Sequence, residues 1–81
     1  ATLRYYFGYI VPTARQALAS KGILKTADGT HQLFWDIYPG EHDRLQDIRE
    51  APASQVSAFI DWLKMIAAEW LEVYVEDSKI I

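Results

Sequence analysis

Apolar positions recur along this chain with two different periods, and the switches between them predict the elements. From about Ser54 onward, Val56, Phe59, Ile60, Leu63, Ile66, Ala67, Trp70 and Leu71 follow the spacing i, i+3, i+4, i+7. That is the mark of a helix that buries one face. It is the strongest periodic signal in the chain, and it predicts a long helix lying over the core. Residues 2–11, "TLRYYFGYIV", read differently. Leu3, Tyr5, Phe7, Tyr9 and Val11 alternate with Arg4, Tyr6, Gly8 and Ile10. Period two in a stretch rich in aromatic and β-branched residues predicts a strand. Gly8 would mark a bulge or a close approach.

The segments between carry turn and cap signals. Residues 12–22 predict a short helix, with Pro12 stopping the strand, Thr13 as cap and Gly22 in the left-handed closing position. Residues 23–38 predict a β-hairpin around Asp28-Gly29, a pair suited to a two-residue type I′ turn. That register sends Leu24, Leu33, Trp35 and Ile37 towards the core and puts Phe34 and Tyr38 on the other face. Pro39-Gly40 signals a turn, and a short helix over 41–50 would face Leu45 and Ile48 inward. Residues 71–77 return to period two: Val73 and Val75 face one way, Glu72, Tyr74 and Glu76 the other, which predicts a last strand.

The order is β-α-β-β-α-α-β. It predicts an α+β fold, a small and mostly antiparallel sheet of about four strands with helices on one face. The whole of 1–81 reads as a single domain.

Composition narrows the function classes. Hydrophobic residues make up 51 % of the 81 positions and aromatics 14 %, enough for a core and too much for disorder. There is no Cys, which excludes disulfides, thiolate metal sites and thiol nucleophiles. Small secreted domains commonly rely on disulfides, so the expected location is cytoplasmic. The start, "ATLRYYFGYIVP", has one charge, Arg4, and no signal-peptide layout; Ala1 fits a chain that has lost an initiator Met. The formal net charge is −3, from 11 acids and 8 bases, with no basic run. Nucleic-acid binding depends on neutralising phosphates, so it is not expected. No apolar run is long enough to span a bilayer, so no membrane partner is expected.

Candidate chemistry is sparse. "DIYPGEHDRLQDIRE", residues 36–50, gathers Asp36, Glu41, His42, Asp43, Asp47 and Glu50. Asp43 and Asp47 would share a face of a short helix, and with His42 they form the only candidate set for a divalent cation. The spacing fits no calcium loop or zinc helix, and Arg44 and Arg49 stand ready to neutralise the acids. A salt-bridged connector explains the segment as simply. His31 and His42 are each explained locally. No phosphate loop or activated nucleophile is visible. No cofactor and no enzymatic activity are expected.

The notable feature is a stripe on the long helix. On a wheel of about 100° per residue, Trp62 falls about 100° from the centre of the core face, and Met65 lies nearly opposite it. Ala58 and Glu69 complete the stripe. With Tyr6, Phe34, Tyr38 and Tyr74 expected on the open face of the sheet, the chain offers more aromatic surface than a small monomer needs. Trp is enriched at interface hot spots, and Met supplies an adaptable apolar contact. The expectation is therefore a small protein that binds another protein, as an inhibitor, adaptor or accessory subunit, or binds itself as a homodimer. An immunity-like or anti-defence inhibitor fits this profile. The alternative is a small-ligand or divalent-metal domain centred on 36–50, with weak enzymatic chemistry at most.

Overall fold

The computed structural model of the protein describes residues 2–73 and 75. Every regular element among them is helical. α1 (Thr2–Tyr5), a π-helical segment (Tyr6–Ile10) and α2 (Val11–Ser20) run into one another as a continuous rod. α3 spans Ala27–Ile37 and α4 spans Ala53–Trp70; between them lies a single 3-10 turn, Ile48–Glu50. The expected four-stranded sheet, and with it the α+β class, is overturned.

The first strand fails because residues 2–11 are apolar at nearly every position, so two periods fit them equally. The buried residues of the rod are Tyr6, Ile10, Val11, Ala14, Ala17 and Leu18, which share one helical face running through into α2. Pro12 does not stop the element. It has no N–H to donate to the carbonyl four residues back, and its ring presses on that turn. The helix widens instead: the Val11 N–H bonds to Tyr6 O, five residues back, and the Thr13 hydroxyl donates to Tyr9 O at 2.7 Å. Gly8 makes no close approach, since a Cβ there would meet nothing within 4 Å.

The rod ends as expected. Gly22 takes φ +86°, the Gly22 N–H bonds to Ala19 O and the Ile23 N–H to Leu18 O. This is a Schellman closure.

The predicted hairpin is a helix. Thr26 is its N-cap, its hydroxyl accepting from the Gly29 N–H at 3.0 Å, and Asp28 sits in the first turn beside the positive end of the helix dipole. Thr30, Phe34, Trp35 and Tyr38 are buried at helical spacing: Trp35 faces the core as expected, but Phe34 and Tyr38 join it there instead of taking the opposite face. Leu24 is 83 % exposed and Ile37 43 %.

The connector over 39–50 is mostly irregular. Ile48 turns in as expected, but Leu45 is 97 % exposed. Three contacts clasp the connector to the helices: Trp35 Nε1–H donates to Gln46 O at 3.2 Å, His42 Nε2 lies 2.7 Å from Trp35 O, and Ile48 is buried in the core. Gly40 lies directly under the Tyr38 ring, where a Cβ would collide with it.

α4 matches the strong periodic signal and buries Val56, Phe59, Ile60, Leu63 and Ala67, but Trp70, expected on the same face, is 64 % exposed at the end of the helix. Residues 71–73 and 75 form no strand; Glu72 takes φ 56°, and Leu71 and Val75 fold back into the core. Phe59 stands at the centre of an aromatic nucleus, with ring centroids 5.6 Å from Tyr6, 5.0 Å from Trp35 and 5.3 Å from Tyr38. Such pairs add about 0.5–1.5 kcal/mol each beyond the area they bury.

Candidate functional site

Two places on this frame carry side chains that packing alone does not account for. The first is the outer face of α4. Ala58, Met65 and Glu69 are exposed and Trp62 is partly buried. Trp62 leans over the edge of the core, with ring centroids 6.5 Å from Phe34, 5.3 Å from Tyr38 and 6.0 Å from Phe59. Met65, 49 % exposed, sits one turn further along. The other residues expected on an aromatic surface are not there. Tyr6, Phe34 and Tyr38 lie in the core, because the helices that replace the strands turn those positions inward. Tyr74 lies outside the described residues.

The second place is a cleft of about 330 Å³ between α3 and the connector. Asp28, His31, Gln32 and Trp35 line it from α3; Arg44, Leu45, Gln46, Asp47 and Arg49 line it from the other side. The His31 ring packs against Tyr6, Phe7, Trp35 and Phe59. Burial holds its pKa below the ordinary value; the nearby Asp47 carboxylate works against that shift and Arg49 with it. Burial pushes the fully enclosed Tyr6 phenol well up, so Tyr6 keeps its proton. The enclosed hydroxyl has no other hydrogen-bond partner among the described residues, so its proton is satisfied only by donation to His31 Nδ1, 2.6 Å away. Nδ1 is the acceptor, so the neutral ring carries its hydrogen on Nε2.

The connector's acids are occupied with its own backbone. Asp43 Oδ1 accepts from the Leu45 N–H at 2.9 Å, and Asp47 Oδ1 from the Arg49 N–H at 2.9 Å. The Arg49 guanidinium adds an ion pair to Asp47 at 3.2 Å and lies over the Phe7 ring, 4.8 Å from its centroid. The Arg49 N–H, with the Arg49 charge, holds the Asp47 carboxyl below its usual range. Both nitrogens of His42 lie against carbonyl oxygens, Nδ1 2.8 Å from Gly40 O and Nε2 2.7 Å from Trp35 O. His42, Asp43 and Asp47 thus act as turn and clasp residues. Among the described residues no group of three His, Cys, Asp or Glu is placed to hold a metal ion.

The pairing of Tyr6 with His31 was not legible in the sequence, where 25 positions separate them. A signal did exist. Thr26 followed by an acid two residues on is a helix start; read that way, His31 and Trp35 fall on one face, towards Tyr6.

No helix among the described residues is long and apolar enough to cross a membrane. No protein-family model matches the chain, and no curated protein or solved structure is significantly similar to it.

Proposed function

We propose that this protein works by binding another protein through the outer face of α4, with Trp62 as the anchor and Ala58, Met65 and Glu69 around it. One observation carries the reading: Trp62 is held on one side by three aromatic rings and still reaches the surface, beside a half-exposed Met65. An aromatic side chain stiffened before binding loses little entropy on contact. Ala58 leaves room for an inserted partner side chain, and Glu69 serves as polar rim. An inhibitor, an adaptor or an accessory subunit would each use such a face. So would a homodimer.

The test uses exposed positions, so that the core is left alone. Ala58→Arg and Met65→Glu should keep the circular dichroism spectrum and melting curve of the wild type. In affinity capture from the host lysate, each should lose a partner that the wild type retains. If sedimentation shows a wild-type dimer that Met65→Glu splits, the partner is a second copy. A partner held equally by wild type and both variants would remove the α4 face from the proposal.

A further inference from the structure

The cleft between α3 and the connector shares no residue with the α4 face, and its lining is unusual in being balanced. Arg49 and Asp47 neutralise each other across 3.2 Å. That leaves Arg44 as a cation and Asp28 as an anion, neither with a hydrogen bond or ion pair among the described residues. His31 adds a neutral donor at Nε2, since the Tyr6 hydroxyl occupies Nδ1. Trp35 and the 97 % exposed Leu45 supply apolar lining.

We propose that this cleft binds a small zwitterion of the amino-acid class with an apolar side chain. Its carboxylate would pair with the Arg44 guanidinium, a fork suited to two parallel hydrogen bonds, and take a further one from His31 Nε2–H. Its ammonium group would pair with Asp28. Its side chain would lie against Trp35 and beneath Leu45, removing from water the most exposed large apolar residue among the described residues. Simpler ligands each leave a group unanswered. A phosphate meets Asp28 and Asp47; a metal cation meets Arg44 and Arg49; an amine leaves Arg44 without a counterion. The volume, about 330 Å³, is at the small end for a ligand site, roughly 300–1,000 Å³, and suits a molecule of this size. Tyr6 has a positioning role: by accepting at Nδ1, His31 is held as a donor towards the ligand and cannot act there as a base.

The experiment is a titration of the isotope-labelled full chain followed by two-dimensional NMR. The probes are L-leucine, the same molecule without its amine (4-methylpentanoate), and the same molecule without its carboxylate (3-methylbutylamine). Leucine should shift the resonances of Asp28, His31 and Arg44, and each truncated probe should bind at least about tenfold more weakly. Arg44→Gln and Asp28→Asn, both on the surface, should each weaken leucine about tenfold while the rest of the spectrum stays in place. The proposal is overturned if leucine leaves these resonances unmoved up to its solubility limit. It is equally overturned if a truncated probe matches leucine, or if both variants bind leucine as the wild type does.

Discussion

Trp62 and His31 pack on the same ring, Phe59, and are held in different ways. Trp62 is held by packing alone, between Phe34, Tyr38 and Phe59. His31 is also ringed by aromatics, but its orientation is set by one directional bond from the buried Tyr6 hydroxyl. Dispersion contacts have no preferred proton state and no preferred rotation about an axis. A hydrogen bond has both. The Trp62 side should therefore respond to lost volume and be blind to pH, whereas the His31 side should respond to both.

The largest effect should come from the shared ring. Phe59→Ala should cost about 3–5 kcal/mol and loosen both flanks at once. Urea unfolding would give the cost, and the NMR line shapes of Trp62 and His31 would show whether both move. If only one did, Phe59 would not be their common support.

Gly40→Ala separates the flanks. Its Cβ would strike the Tyr38 ring, which is buried against Trp35, His42, Phe59 and Trp62 and has little freedom to retreat. The expected loss is about 1–3 kcal/mol, the usual cost of overpacking, with a change in the fluorescence of Trp62 and Trp35, which both pack on the Tyr38 ring. The Tyr6–His31 bond should survive it, as the nitrogen shifts of His31 would report.

Tyr6→Phe acts on the other flank. It keeps the ring and removes the hydroxyl, at about 1–2 kcal/mol for a buried hydrogen bond that loses its donor. Nitrogen shifts of His31 should then lose the signature of a proton fixed on Nε2. The pH dependence follows from the same pair. Folding holds the His31 pKa below its ordinary value of about 6.5, so the folded state binds the proton less readily than the unfolded one. This contribution to stability is complete above about pH 6.5 and is lost as the pH falls below it. The Tyr6 phenol is pushed the other way, so its contribution is complete below about pH 10 and is lost as the pH rises beyond it. Unfolding measured across pH should show an acid loss that His31→Gln reduces and that Trp62→Phe leaves unchanged. Equal acid sensitivity in both variants would erase the contrast between the flanks.

The smallest effect lies in neither flank. Glu72 holds a left-handed φ of 56° just past the end of α4, the conformation that Gly22 takes with φ +86° past the end of α2. Glu72→Gly should raise stability by about 1 kcal/mol by relieving that strain, with no change at Trp62 or His31. A loss of stability would mean that the Glu72 side chain makes a contact worth more than the strain.

Much of the helical character was present in the residues, but only some of it was legible. α4 was, because charged and small residues interrupt its apolar positions and leave one clean period. The Gly22 closure was legible too, because one conformation at one residue decides it. Residues 2–11 were not: with apolar side chains at nearly every position, alternation and helical spacing coexist, and only packing against Phe59 and α2's continuing face selects the second. Residues 26–38 were misread for a different reason. Asp28-Gly29 is a good hairpin turn, but Thr26 and Asp28 are equally a good helix start, and local chemistry cannot rank the two.

The candidate sites divide the same way. The α4 stripe of Ala58, Trp62, Met65 and Glu69 follows from sequence spacing, because a helix fixes where each side chain points once the helix itself is certain. What Trp62 leans on does not follow, nor does the removal of Tyr6, Phe34 and Tyr38 into the core. Those depend on which helix faces which. The cleft around His31 belongs wholly to the tertiary structure. Tyr6, His31 and Arg44 come from three distant parts of the chain, and only the closing of the rod, α3 and the connector on one core brings their chemistry together.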